Sequence, residues 1–361
     1  MHAIILAGGS GTRFWPASRA VRPKQLLPIA GGGQSLLRAT VDRLCPLVGA
    51  ERVWVVTNPR QAEGLAADLG DALPRSNLLI EPEARDTAPC VAMATACIEA
   101  QDPGAVLAFF PADHAMDAGA GFARLVQRAA NLAGSGDALV TLGIRPTHAA
   151  TGFGYIERGE AIDTATPNAF LAQRFREKPD RPTAEEFLRS GRFLWNGGIF
   201  FWTTEALLTA MRATTPALAE ATVRMLEAAA QGDPDALAMA FRSTPKTSVD
   251  YAVMEAAPRV IVVETDVAWS DLGSFAALGE VLPTDARDNV AAAHRGAQAV
   301  FEEADGCTVW AEGERTVAVF GASQMVVVAV DDAILVCPKD RAEDLKKLVE
   351  RLRQDGLEGL L

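Results

Sequence analysis

The sequence predicts an α/β protein with a mixed, mostly parallel sheet and a small β-rich unit at its C-terminal end. Three observations predict it. Short, nearly continuous apolar runs alternate with amphipathic stretches from Met1 to about Val140, the pattern of parallel strands buried on both faces by crossover helices. From Phe153 to Trp202 the runs look antiparallel, with one helix inserted. After Leu282, short β-rich pieces follow one another between turns such as Ala304-Asp305-Gly306.

In order, the first strands are expected at His2–Leu6, Arg52–Thr57, Asn77–Ile80, Ala105–Phe110 and Ala138–Leu142. The helices between them are expected at Ser35–Leu44, Arg60–Leu69, Thr87–Ala100 and Phe122–Ala133. Strands follow at Phe153–Glu157, Ala169–Glu177 and Gly198–Trp202. Helical patterns run from Thr204 to Phe241, broken near Pro216 and at Gly232-Asp233-Pro234, because proline lacks the N–H donor and clashes with the preceding turn. Arg259–Glu264 returns as a strand. The terminal β pieces are Ala297–Glu302, Cys307–Ala311, Thr316–Phe320, Met325–Val330 and Ala333–Val336, closed by a charged helix over Arg341–Leu352. The spacing of these pieces is loosely similar and shows no strict repeat. The texture change divides the chain into residues 1–282 and 283–361.

The net charge of −12 argues against nucleic-acid and anionic-membrane partners, which select a basic surface. It leaves room for a phosphorylated small ligand, which needs only a few local cations. The five cysteines, Cys45, Cys90, Cys97, Cys307 and Cys337, form no C-x-x-C pair. They read as reduced, mostly buried thiols of a cytoplasmic protein. The N-terminus lacks the pattern of a signal peptide, and no apolar stretch is long enough to span a bilayer.

The chemistry begins at the first strand. His2–Leu6 opens onto Ala7-Gly8-Gly9-Ser10-Gly11-Thr12-Arg13, and Pro23-Lys24-Gln25 follows. A glycine-rich turn after a buried strand can set backbone N–H groups around a phosphate. Arg13 and Lys24 add a forked and a point cation for the same anion. The third glycine of a dinucleotide fingerprint is missing, and the second strand ends at Thr57 instead of an acid. Asp113, after the run Val106–Phe110, is either a magnesium ligand or a turn aspartate. Asp271 precedes a short helix and has the same two readings. Glu177-Lys178 at a strand end is either a surface ion pair or a hydroxyl acceptor beside a phosphate-binding cation. Asn196-Gly197-Gly198 offers an amide and permissive backbone for a sugar. Asp86 or Thr87 caps the helix that follows Glu81.

Together these segments resemble the sugar-nucleotide pyrophosphorylase family, and within it the mannose-1-phosphate guanylyltransferases. The resemblance rests on Leu6 to Pro16 with Ser18-Arg19, on Pro23-Lys24-Gln25, Arg85-Asp86-Thr87-Ala88-Pro89 and Pro111-Ala112-Asp113-His114. It continues through Glu177-Lys178-Pro179, Trp195-Asn196-Gly197-Gly198, Ser248-Val249-Asp250-Tyr251 and Trp269-Ser270-Asp271-Leu272-Gly273. Two departures stand out: Asp86 where the family commonly has Asn, and Arg176 where it has an apolar residue. The resemblance implies a Rossmann-like nucleotidyltransferase domain followed by a short left-handed β-helix. It implies transfer of GMP from GTP to mannose 1-phosphate, with Mg²⁺ as cofactor and no covalent intermediate.

The same resemblance implies a role for each residue. Arg13 and Lys24 are catalytic. Leu6, Ala7, Gly8, Gly9, Ser10, Gly11, Thr12, Thr87 and Asp113 bind the nucleotide. Gly154, Glu177, Lys178 and Asn196 bind the sugar phosphate, and Asp113 and Asp271 hold the metal. Because the chain stops after the β unit and its helix, a single activity is expected. A β unit of this kind can serve as a contact surface, so a homodimer is one expectation. Three alternatives stay open: another hexose or heptose 1-phosphate, a non-catalytic sugar-nucleotide-binding regulator, and, least favoured, a nicotinamide-dependent oxidoreductase.

Overall fold

The structure is a computed structural model that describes residues 1–9, 11–162 and 168–361. The first region runs β1 (His2–Leu6), α1 (Leu36–Val48), β2 (Val53–Thr57), α2 (Ala62–Leu69), β3 (Leu78–Ile80), α3 (Thr87–Glu99) and β4 (Val106–Pro111). A short β5 (Ala115–Met116), α4 (Ala120–Gly134) and β6 (Leu139–Ile144) complete it. Then come β7 (Tyr155–Ala161), β8 (Ala169–Arg176), α5 (Arg181–Ser190), β9 (Phe193–Thr203), α6 (Thr204–Thr214), α7 (Pro216–Gln231) and α8 (Pro234–Arg242). β10 (Val260–Thr265) and β11 (Trp269–Ser270) follow.

The main sheet has the order β3-β2-β1-β4-β9-β6-β10-β8-β7. Side chains alternate across it. Ile4 and Trp54 join one core, under α3, α6, α7 and α8, while Ala3, Ile5, Val53 and Val55 join the other, under α1, α2 and α4. The expectation of a mostly parallel sheet needs correction. β3-β2-β1-β4 and β6–β10 are parallel, but β9 is antiparallel to both β4 and β6, and β8 to both β7 and β10. The start of β9 also pairs with β7, which closes β9-β6-β10-β8-β7 on itself. Long β9 therefore serves as the wall between an open parallel half and a closed, mostly antiparallel half.

The β-rich unit contains β12 (Val290–His294), β13 (Gln298–Glu302), β14 (Thr308–Glu312), β15 (Thr316–Phe320), β16 (Met325–Ala329) and β17 (Ile334–Pro338). Val290 pairs with Thr308 and Thr308 with Val326, both in parallel, so one coil takes 18 residues. Gln298 pairs with Thr316 at the same step. This is a strict repeat, and its first strand, β12, is one that the sequence pattern does not reveal. Antiparallel β17 covers the last coil. A turn over Lys339–Asp344 leads to α9 (Leu345–Gln354).

The unit shares a core with the start of the chain. Phe14, Trp15, Leu27 and Ile29 pack with Val290, Trp310, Val326, Leu345 and Val349. Buried Glu312 takes the Arg22 guanidinium at 2.8 Å, and the Trp15 indole donates to the Leu360 carbonyl at 2.7 Å. Every cysteine is free, but only Cys307 is fully buried and the other four are half-buried. No helix among the described residues is long and apolar enough to cross a membrane.

Candidate active site

β1 delivers Leu6 to the carboxyl edge of the sheet, and the glycine turn starts there. The carbonyls of the turn are held by side chains. Ala7 O accepts from Gln25 Nε2 and Thr57 Oγ1, each at 3.0 Å, and Gly9 O accepts from Gln61 Nε2 at 3.1 Å. Among the described residues, no acceptor takes the N–H of Gly8, Gly9, Gly11 or Thr12. Those donors are what an anion needs. Gly11 has φ 59, and a Cβ there would lie 2.7 Å from Lys24 Cβ. The close approach of the turn to Lys24 therefore requires glycine. Ser10 lies outside the described residues.

Two carboxylates reach this turn from distant parts of the chain. Ala112 N–H donates to Leu6 O at 3.1 Å, which sets Asp113 beside the turn. β5 and β11 pair antiparallel, with Ser270 opposite Ala115, and this short ladder brings Asp271 to Asp113. Lys24 is 5% exposed, and its Nζ joins them, 2.9 Å from Asp113 Oδ2 and 2.6 Å from the Asp271 carbonyl. Arg13 Nη1 donates to Gly273 O at 3.4 Å. A cavity of about 240 Å³ is lined by Gly11, Thr12, Arg13, Lys24, Asp113 and Asp271, among others.

The electrostatics of the two acids differ. Burial pushes the Asp271 carboxyl up to about 6; Asp113 adds to the rise, and Lys24 and Arg13 oppose it. Burial is the largest influence on Asp113 too, but the Lys24 ammonium, His114 and the hydrogen bonds from Lys24 and the backbone together outweigh it and hold that carboxyl below its ordinary value. Two neighbouring carboxylates with one lysine between them cannot both ionise cheaply. A hard divalent cation that keeps several waters suits this donor pair. Burial lowers His114 to about 4, so the ring is neutral, and its Nδ1 accepts the Trp269 indole N–H at 3.2 Å. His114 thus props β11 from behind the acids.

A second cluster lies where β7, β8 and β9 meet. Asn196 N–H donates to Gly154 O at 2.8 Å. A Cβ on Gly154 would stand 2.5 Å from Glu177 Oε2 and 3.2 Å from Asn196 Cβ, so only glycine allows this convergence. Lys178 pairs with Glu177. Asn196 is fixed at both ends: Oδ1 accepts from Thr141 Oγ1 at 3.1 Å, and Nδ2 donates to Asp250 Oδ1 at 2.8 Å.

Comparison with known proteins agrees with this geometry. Residues 2–288 match the nucleotidyl transferase family, and residues 297–352 match the mannose-phosphate isomerase/GMP-like beta-helix domain. A mannose-1-phosphate guanylyltransferase of Klebsiella pneumoniae is 36% identical over 98% of this chain and 74% of its own. The chain belongs to the mannose-1-phosphate guanylyltransferase family. Another relative is the xanthan biosynthesis protein XanB of Xanthomonas campestris pv. campestris (strain B100), 39% identical over 98% of this chain and 73% of its own. A crystal structure from Thermus thermophilus, named mannose-1-phosphate geranyltransferase, is 34% identical. It superimposes with a TM-score of 0.86, covering 98% of this chain and 99% of that one.

Within this family member, the sequence-predicted residues that the structure describes fall into the two clusters, with Thr87 placed differently. Its Oγ1 accepts the Val249 N–H at 3.0 Å, which ties α3 to the segment carrying Asp250. Asp86 caps α3, with Oδ1 taking the Thr87 N–H at 2.8 Å, and its φ is 70. Asn caps helices as Asp does, so the Asp86 departure keeps the cap of α3. Arg176 is exposed and reaches Glu255 at 3.7 Å.

Two residues that sequence reasoning gave no role stand at the site. Glu81, buried at the end of β3, lies 3.6 Å from where a Cβ on Gly8 would be, and burial raises its carboxyl. Asp250 is pushed up to about 6 by burial and by the nearby Glu177 charge. An acid at a strand end beside the glycine strand is a usable signal for Glu81. Asp250 had none beyond the family segment itself.

Asp250 gives a stability prediction. Its folded value of about 6 exceeds the ordinary 3.8. The stability it contributes is therefore fully present below about pH 4 and lost as pH rises through 6. Asp250→Asn escapes that loss. Its Tm should exceed the parent's by a few degrees at pH 8, from an effect of order 1–3 kcal/mol, with a smaller gap at pH 5. Melting curves at both pH values check this; an equal gap would mean that Asp250 titrates normally.

Proposed function

We propose that the protein transfers GMP from GTP to α-D-mannose 1-phosphate, giving GDP-mannose and pyrophosphate. The observation that carries this reading is the meeting of Arg13, Lys24, Asp113 and Asp271 at the glycine turn. A phosphate oxygen of the sugar attacks the α-phosphorus in line, and the bond to the β-phosphate oxygen breaks with its electron pair leaving on pyrophosphate. The attacking group is already an anion, so no general base is required. The task is to hold two repelling anions together and spread charge as it moves.

The glycine turn supplies the N–H groups of Gly8, Gly9, Gly11 and Thr12 to the phosphates. Arg13 sits on the leaving pyrophosphate, and Lys24 neutralises the α-phosphate region. Asp113 and Asp271 would hold Mg²⁺, which would supply further positive charge at the phosphates. Glu177 and Asn196 take mannose hydroxyls, Lys178 takes the sugar phosphate, and Gly154 allows a close backbone contact. Thr87 and the Ala7-Gly8 backbone face the base. Glu81 adds the acceptor that suits guanine N1–H and its 2-amino group, which adenine lacks.

The working division remains residues 1–282 for transfer and 283–361 for the β unit, whose coils begin at β12. The 18-residue coil suits a left-handed β-helix. The exposed Phe320, Ile334 and Val336 on that unit suit a homodimer contact. The free thiols suit a cytoplasmic enzyme.

Pyrophosphate release tests the reading. Purified protein with Mg²⁺ is given GTP, ATP, UTP or dTTP against mannose 1-phosphate or glucose 1-phosphate. Release at least about 100-fold faster with GTP and mannose 1-phosphate is expected, since a missing or misplaced hydrogen bond to a base is heavily penalised. Equal release with another pair would move the substrate. No release with any pair would leave an untested sugar 1-phosphate, such as a heptose, or a binding protein.

A further inference from the structure

We infer that the β unit completes the active site: Lys346 of α9 is a ligand for the β- and γ-phosphates of the nucleotide, and for the pyrophosphate they become. This rests on the nucleotide reading above and extends it to a residue from the other end of the chain. Lys346 lines the same cavity as Arg13, Lys24, Asp113 and Asp271.

Packing holds it there. α9 lies on the turn Thr12–Phe14, which carries Arg13. Leu345 and Val349 are buried in one core with Phe14 and Trp15, and the Trp15–Leu360 hydrogen bond fastens the chain end just beyond the helix. The residue after Leu345 is thereby set at the rim of the cavity on the Arg13 side.

Charge supports the same role. Other cations on and beside α9 are paired locally: Arg341 and Lys347 with Asp344, Arg351 with Asp355, and Arg353 with Glu350. Lys346 has no ion-pair partner among the described residues. Inside the cavity, Lys24 is committed to Asp113 and to the Asp271 carbonyl, so its charge is already largely answered. With Lys24 directed at the α-phosphate and the acids at the metal, Arg13 and Lys346 are the cationic side chains of the cavity left for the β- and γ-phosphates. An exposed lysine is a mobile point charge, suited to following the pyrophosphate as it leaves. Lys24 lies on the α-phosphate side and Arg13 on the leaving side, so the position of α9 assigns Lys346 to the leaving group.

The test uses the full chain, with Lys346→Ala, Lys346→Gln and Lys346→Arg, and Lys347→Ala as a control of equal charge change. Kinetics are run in both directions. With Lys346→Ala and Lys346→Gln, KM for GTP and for pyrophosphate should rise about 10-fold, as for loss of one charge-assisted contact. KM for mannose 1-phosphate and for GDP-mannose should stay within about twofold. Lys346→Arg should recover most of the loss, and Lys347→Ala should match the parent. Unaltered melting curves exclude a folding defect. If Lys346→Ala behaves like Lys347→Ala, or if all four KM values rise together, the inference is overturned. Calorimetric titration with inorganic pyrophosphate alone separates the two readings. A parent inactive in transfer but losing pyrophosphate affinity on Lys346→Ala would sink the proposed reaction and keep the phosphate ligand.

Discussion

Lys24→Met should lower kcat/KM by about 10³-fold, the scale of losing one preorganised charge at a reacting phosphate, while the protein remains folded. Methionine keeps an unbranched stem of similar volume against Phe14, whose ring centre lies 5.6 Å from the ammonium. What disappears is the donor that joins Asp113 and the Asp271 carbonyl. Removing one partner of a fully buried pair costs several kcal/mol. Here the Asp113 side chain is 39% exposed, so water takes over part of the contact and a loss of about 1–2 kcal/mol is expected. With Lys24 gone, the main group opposing burial at Asp113 is lost, so its carboxyl rises and the acid limb of the activity profile moves to higher pH. Lys24→Arg should not restore activity. A guanidinium is wider than an ammonium, and the Lys24 Nζ it would replace is held between Asp113 Oδ2 at 2.9 Å and the Asp271 carbonyl at 2.6 Å. Steady-state kinetics across pH with parallel melting curves check this. A loss below about tenfold would take Lys24 out of the chemistry.

What could be read from the sequence follows from what is local. β1 and β15 fall at their expected residues, and the breaks at Pro216 and Gly232-Asp233-Pro234 separate α6, α7 and α8 as expected. Each rests on a short-range rule: an apolar run, a proline, a helix-stopping glycine. β9 was legible only from Gly198, because Asn196-Gly197-Gly198 interrupts its apolar run, yet the strand begins at Phe193. Those glycines are tolerated because neighbours come close; a Cβ on Gly197 would meet Leu142 O at 3.1 Å. The antiparallel insertion of β9 between β4 and β6 is a long-range pairing with no sequence mark, which is why the sheet read as mostly parallel. β12 carries no strand signal because Val290-Ala-Ala-Ala-His294 favours helix as much as strand. It is a strand because β14 lies beside it at the coil step. The site divides in the same way. Arg13, Lys24, Asp113, Asp271, Glu177 and Asn196 were each visible as chemistry-bearing residues, but their convergence depends on the β5–β11 ladder and the β7–β9 contact. Lys346 was hidden within an ordinary charged helix, since only tertiary packing distinguishes it from Lys347.

Asp271→Asn and Asp113→Asn should both abolish Mg²⁺-dependent turnover, by at least about 10³-fold if each carboxylate is a metal ligand, yet should move stability in opposite directions. Without metal, Asp271 carries a carboxyl raised to about 6. Its contribution is present below the ordinary value of 3.8 and lost as pH rises through 6. A neutral amide avoids that loss, so the metal-free Asp271→Asn protein should melt higher than the parent at pH 8. Asp113 is held below its ordinary value by Lys24. Its contribution is present above that ordinary value and lost as pH falls, and Asp113→Asn discards it. That variant should melt lower than the parent at pH 8. Added Mg²⁺ should raise the Tm of the parent and of neither variant, because a single carboxylate is a poor magnesium site. Melting at pH 8 with and without Mg²⁺, alongside turnover with and without chelator, distinguishes the roles. Reversed stability signs would mean that the proton sits on Asp113 instead. Full activity of either variant at low Mg²⁺ would make that aspartate a turn or helix cap, and the lysine between the acids would then be the principal charge at the α-phosphate.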